Sequence, residues 1–134
     1  MGKIRVMIVD DQKSIRDLLR SIVEELGAEV ISEACDGVEA VAQFKEHAPD
    51  VTLMDINMPR MDGVDALQQI IAIKSDALVL MLTSQNSMAV VKTCLASGAK
   101  NFILKDSPPD VMSAEIKDTW SRCLGLGVVC GESL

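Results

Sequence analysis

Val51-Thr52-Leu53-Met54-Asp55-Ile56-Asn57-Met58-Pro59-Arg60-Met61-Asp62-Gly63 is the stretch on which the fold of this chain turns. Val51 to Ile56 is a short apolar run that follows Pro49 and carries a carboxylate near its end. Such runs, bounded by turn residues, read as buried strands. Asn57 to Gly63 then reads as the loop that closes the strand. The same pattern recurs three times with a polar residue at the end of each run. Ile4 to Val9 leads into Asp10-Asp11, Ala77 to Leu82 into Thr83, and Asn101 to Leu104 into Lys105. A further strand is expected over Glu29 to Ala34, with Asp36-Gly37 as its turn.

Helical periods fill the intervals. Ile15, Leu18, Leu19, Ile22, Val23 and Leu26 fall on one face of a helix that Gly27 ends. A short helix carries Val38, Val41, Ala42 and Phe44 and stops before Pro49. Others are expected at about Val64 to Ile73, at Met88 to Ala96 with Gly98 as the stop, and from Ser107-Pro108-Pro109-Asp110 onward. Ser can cap that last helix and Pro suits its first turn; it is expected to bury Val111, Met112, Ile116 and Trp120. Five alternations of nearly continuous apolar strands with helices imply an α/β fold, a parallel sheet covered on both faces. Ligands of such sheets bind beyond the carboxyl ends of the strands, at a topological switch point. Asp10, Asp11, Asp55, Thr83 and Lys105 all lie at those ends. Residues 1–122 are read as one domain. The Gly-rich, aperiodic end of the chain, taken as 123–134, is read as a tail or linker stub.

The composition fits one globular domain with a core: 134 residues, 49% hydrophobic and 25% charged. A net charge of −7 argues against a nucleic-acid surface, which needs clustered Lys and Arg. No apolar run approaches the roughly 20 residues of a membrane span, and Asp10-Asp11 comes too early for a secretory signal. Met1-Gly2 lacks the Ser or Thr at position 6 that myristoylation needs. A soluble cytoplasmic protein, with no membrane partner, is expected. Cys35, Cys94, Cys123 and Cys130 show no metal-type spacing and are read as small buried hydrophobes plus a tail thiol.

The strand-end residues match the needs of phosphoryl transfer. An Asp carboxylate can attack phosphorus to form an acyl phosphate, and catalysis is then mostly positioning and electrostatics. Mg²⁺ takes a few carboxylates plus phosphate oxygens. Asp10 and Asp11 are natural metal holders, Asp55 the nucleophile, and Asn57 can offer its backbone carbonyl. Lys105 supplies a compact positive charge for one phosphoryl oxygen and Thr83 a hydroxyl for another. Any one of these residues alone is usually a turn former, a helix cap or surface decoration; five in this order along one sheet edge carry far more weight.

In these residues the chain resembles the receiver domains of bacterial two-component response regulators, the CheY-like family. The motifs are VDD at Val9-Asp10-Asp11, MDINMPRMDG from Met54 to Gly63, LTS at Leu82-Thr83-Ser84, and FILKD from Phe102 to Asp106. The resemblance spans about Lys3 to Arg122. It implies a flavodoxin-like, five-stranded doubly wound parallel sheet of order 2-1-3-4-5. It also implies that Asp55 accepts phosphoryl from the phosphohistidine of a sensor histidine kinase, using Mg²⁺. Thr83 and Phe102 would form the switch, the hydroxyl moving toward the phosphoryl and the ring turning into the vacated space. Lys105 would pair with Asp55 or its phosphoryl. The role implied is a signalling module with self-catalysed phosphotransfer and dephosphorylation only, acting on a downstream protein or output domain. Many family members follow the lysine with proline, where this chain has Asp106, and the loop after Lys105 is open on that account. Asn57 and Gln85 occupy variable positions bordering the site, and neither is acidic.

Other signals are weaker. His47 reads as a solvated loop residue and Trp120 as a core or border residue. In the fourth helix Met88, Val91 and Leu95 can face the sheet. Ala89, Val90 and Cys94 would leave the outer side weakly polar, which would suit a target or a phosphorylation-dependent homodimer. Two other classes compete. In a phosphatase of the haloacid-dehalogenase kind, Asp55-Ile56-Asn57 would be the nucleophile motif, but Asn57 cannot protonate a leaving group. A phosphorylation-independent binding module would need none of the complete acid and lysine set.

Overall fold

The computed structural model describes residues 3–84 and 88–124. Five strands alternate with five helices: β1 (Arg5–Val9), α1 (Lys13–Glu25), β2 (Glu29–Ala34), α2 (Gly37–His47), β3 (Val51–Asp55), α3 (Gly63–Ile73), β4 (Leu78–Thr83), α4 (Met88–Ala96), β5 (Asn101–Leu104) and α5 (Pro109–Leu124). The strands form one sheet of order β2-β1-β3-β4-β5, parallel at every pairing. The doubly wound α/β fold expected from the sequence is therefore present. Its switch point falls between β1 and β3, because the chain leaves β1 for one side of the sheet and returns to the other.

The two-residue period of the strands divides the core. Val6, Ile8, Leu53, Leu80, Leu82 and Ile103 face one way, against Leu19, Ile22 and Val23 of α1 and Met112, Ile116 and Trp120 of α5. Met7, Val9, Met54, Val79 and Met81 face the other way, against Ala40, Val41 and Phe44 of α2, Ala66, Leu67 and Ile70 of α3, and Cys94 of α4. Every residue of β3 and β4 is buried, which is why those runs are nearly continuously apolar. Asp36 and Asp62 cap α2 and α3, accepting the backbone N–H of Glu39 at 2.9 Å and of Asp65 at 3.0 Å.

Several local expectations need correction. β3 ends at Asp55 rather than Ile56, and β4 is shifted by one residue to end on Thr83. His47 closes α2 instead of lying in a loop, because the left-handed turn comes one residue later, at Ala48 with φ of 45°. Val111 is exposed: α5 begins at Pro109, and its buried positions Met112, Ile116, Thr119 and Trp120 follow a stripe that misses Val111. In α4 the buried residues are Val91 and Cys94, three apart, while Met88 and Leu95 are exposed. Cys35 and Cys123 are exposed rather than buried; Cys130, Gln85 and the Gly-rich end lie outside the described residues. α5 continues to Leu124, two residues past the boundary read at 122. Among the described residues no helix is long and apolar enough to cross a membrane.

Candidate functional site

Strand register brings the polar strand ends together. β1 and β3 are adjacent, with Val9 opposite Met54, so Asp10 and Asp55 emerge side by side at the carboxyl edge. Asp10 is fully buried and Asp55 nearly so, while Asp11 is exposed at the rim. One carboxylate oxygen from each of Asp10, Asp11 and Asp55 lies within 4.8 Å of the others. From the far side of the sheet, Lys105 places its Nζ 2.7 Å from Asp10 Oδ2 and 3.1 Å from Asp55 Oδ2. It reaches there because its backbone N–H is held by the Thr83 carbonyl at 2.8 Å. The remaining lone pairs are partly satisfied by backbone: Gln12 N–H donates to Asp10 Oδ1 at 2.9 Å and Asn57 N–H to Asp55 Oδ1 at 3.3 Å.

The electrostatics are those of crowded acids. Burial pushes the Asp55 carboxyl up to about 6, the Asp10 charge pushes in the same direction, and the Lys105 ammonium only partly offsets them. Burial alone would lower Lys105, but its hydrogen bond to Asp10 and the charges of Asp55 and Asp10 raise it above the ordinary lysine value. Asp10 Oδ2 is buried without a hydrogen bond of good geometry, although Lys105 stands 2.7 Å away. Two near-buried carboxylates sharing one ammonium remain short of positive charge. An oxygen-ligated divalent cation fits this donor set, with Asp10, Asp11, Asp55 and the Asn57 carbonyl as the available oxygens. A cleft of about 290 Å³, lined by Asp11, Gln12, Asp55, Asn57, Ser84 and Lys105, opens directly above it.

Thr83 is buried at the end of β4 and pairs in register with Leu104 of β5. Phe102 is half-buried and packs on the same core layer as Met81, the side of the sheet toward which Thr83 also alternates. Of the seven residues singled out in the sequence, Asp10, Asp11, Asp55, Asn57, Thr83 and Lys105 thus lie at or just past one sheet edge, and Phe102 sits two residues before the end of β5.

The sequence did not reveal two supporting residues. Arg16, one turn into α1, donates Nη1 to the Asp10 carbonyl at 2.8 Å and Nε to Glu33 Oε1 at 2.9 Å. Arg60 pairs with Asp36. Each cation sits in plain view in the sequence, but the acid it pairs with, Glu33 in β2 or Asp36 at the N-cap of α2, lies in another segment, and no local pattern connects them.

The response regulator receiver domain family matches residues 6–117. The chain is 42% identical over 109 residues to a chemotaxis protein CheY of Thermotoga maritima, covering 81% of this chain and 90% of that one. It is 38% identical over 115 residues to a chemotaxis protein CheY of Bacillus subtilis, covering 86% and 96%. It also resembles a CheX–CheY–BeF3–Mg²⁺ complex from Borrelia burgdorferi, with a TM-score of 0.81, 34% identity, and 90% and 88% of the two chains covered. The chain belongs to the response regulator receiver domain family. It is a CheY-like receiver, a signalling domain of two-component systems.

Proposed function

We propose that this receiver takes a phosphoryl group onto Asp55 from the phosphohistidine of a sensor histidine kinase and thereby switches its binding to a downstream protein or output domain. The observation that carries this is the Asp10-Asp11-Asp55 cluster with Lys105 bridging Asp10 and Asp55. Asp55 is the only one of the three with both a near-buried carboxylate and a direct place on the cleft wall. An Asp55 oxygen attacks phosphorus, the P–N bond to the donor imidazole breaks, and the imidazole departs as its proton-bearing form. A value near 6 keeps Asp55 mostly ionised at neutral pH, as a nucleophile must be.

Asp10, Asp11, Asp55 and the Asn57 carbonyl would hold Mg²⁺, which when bound neutralises charge on the transferring phosphoryl oxygens. In this reading Lys105, now 3.1 Å from Asp55, passes to one phosphoryl oxygen and the Thr83 hydroxyl approaches another. With Thr83 drawn toward the site, the Phe102 ring gains room to turn inward from its half-buried position. That is a two-state element biased by a new charge. Residues 1–122 hold the phosphoryl-accepting unit in this reading, in a cytoplasmic setting. It turns over no external substrate beyond its own phosphorylation and dephosphorylation.

The test is intact mass after incubation with Mg²⁺ and acetyl phosphate, with Asp55→Asn in parallel. One base-labile phosphoryl adduct on the parent and none on the variant is the expected result. No adduct on the parent, even from a phosphorylated kinase with rapid quenching, would remove the phosphoacceptor role.

A further inference from the structure

Within the loop between β3 and α3, the segment 57–62 carries the one backbone carbonyl assigned to the cation, and it is fastened at three points. At its end, Gly63 N–H donates to the Ile56 carbonyl at 2.7 Å, and a Cβ on Gly63 would meet the Asp55 carbonyl oxygen at 2.1 Å. In its middle, the Met61 carbonyl accepts Gly37 N–H at 2.9 Å, and a Cβ on Gly37 would meet that oxygen at 2.2 Å. Both glycines allow backbone approaches that no other residue permits.

The third fastening is Arg60. Its Nε and Nη2 reach the same oxygen of Asp36, Oδ2, at 2.9 and 2.6 Å. Arg60 itself has φ of 66° and centres a three-residue turn closed by Met61 N–H to the Pro59 carbonyl at 2.8 Å. A γ-turn with positive φ is the rare, strained sense of that turn, and a non-glycine residue in it costs energy. Asp36 is 6% exposed and is itself anchored, because its other oxygen caps α2 through Glu39 N–H. Glu39 Oε1 in turn accepts Cys35 N–H at 2.9 Å.

We infer that Asp36 and Arg60 are positioning residues, which hold the 57–62 loop in its strained turn and so present the Asn57 carbonyl to the acid cluster. The inference rests on the phosphoacceptor reading for the cation, while the loop clamp itself is observable without it. Stability alone does not explain an arginine here, since glycine would take φ of 66° without strain. The side chain earns its place through the contact with Asp36.

Two variants of the full chain separate positioning from bulk stability. Arg60→Gly removes the clamp and relieves the turn, and Asp36→Asn removes the charge while leaving an oxygen able to cap α2. The measurements are amide hydrogen exchange at Gly37 and Asn57, Mg²⁺ affinity by amide shifts of residues 57–62, and thermal unfolding. Expected are faster exchange at both amides and Mg²⁺ affinity weaker by roughly three- to tenfold, the lower side of what supporting partners of metal ligands contribute. Arg60→Gly should show these losses with an unfolding midpoint equal to or above the parent's. Unchanged exchange and affinity in both variants would overturn the inference, as would a loss of protection spread evenly over the sheet. If the parent shows no Mg²⁺ response, the phosphoacceptor reading fails, and the clamp is then judged on the Gly37 and Asn57 amides alone.

Discussion

Asp55 is ionised in the fold at a cost to stability. Its carboxyl titrates near 6 in the fold, against about 3.9 for an unperturbed aspartate. A raised acid contributes stability through its protonated form. That contribution is complete below about pH 4 and is lost as pH rises through about 6. At neutral pH the ionised Asp55 therefore weakens the fold, held next to Asp10 with only Lys105 between them. A shift of about two pH units corresponds to at most about 3 kcal/mol, and solvent at the cleft mouth reduces it to about 1–2 kcal/mol. Asp55→Asn should accordingly raise stability by about that amount at pH 7.5, with the advantage shrinking to nothing near pH 4. Urea melts of parent and variant across that range provide the measurement; a constant gap at all pH values would contradict the assigned titration. The acid pair and the lysine are legible in the sequence as strand-end residues. Their mutual distances, and hence the shift, depend on β1 and β3 being neighbours.

Among the elements, α4 shows most clearly where periodicity loses its hold. Met88, Ala89, Val90, Val91, Cys94, Leu95 and Ala96 make it apolar on nearly every side, so no polar stripe marks the outer face. The sheet chooses Val91 and Cys94 and leaves Met88 and Leu95 in solvent. The mirror case is α1, where Lys13, Arg16, Asp17, Arg20 and Glu24 break the pattern and only one face is left for the core; there the expected stripe packs as expected. The contrast is measurable by thermal or urea unfolding. Val91→Ala should cost about 2 kcal/mol through an unfilled core site, and Leu95→Ala less than about 0.5 kcal/mol, as at other exposed positions. Equal costs would mean that α4 packs on a different face. α5 carries a second element-scale device: Asn101 Nδ2 donates to the buried Thr119 hydroxyl at 2.9 Å and to Glu115 at 3.1 Å, tying β5 to the last helix.

For the molecule as a whole, the proposed switch asks one phosphoryl group to redistribute two arrangements of β4, α4 and β5. Inverting a 1:99 population to 99:1 takes about 5.5 kcal/mol, and the Thr83 hydroxyl is the link that would transmit it toward Phe102. Thr83→Ala should still accept phosphoryl at Asp55, yet leave the Phe102 ring resonances unmoved on phosphorylation; a parent-like ring shift in that variant would break the proposed link. What this sequence determined by itself was the alternation of strands and helices along the chain, the α/β class with a parallel sheet covered on both faces, and the identity of the strand-end residues. All of these are written in contacts within a turn or a strand, where spacing along the chain equals spacing in space. Only the tertiary structure decided which side of α4 is covered, that Lys105 bridges two acids, and that Arg60 reaches Asp36 across 24 residues. Those pairings join groups that share no local period, and they exist because the sheet order and the helix packing bring separate segments to one edge.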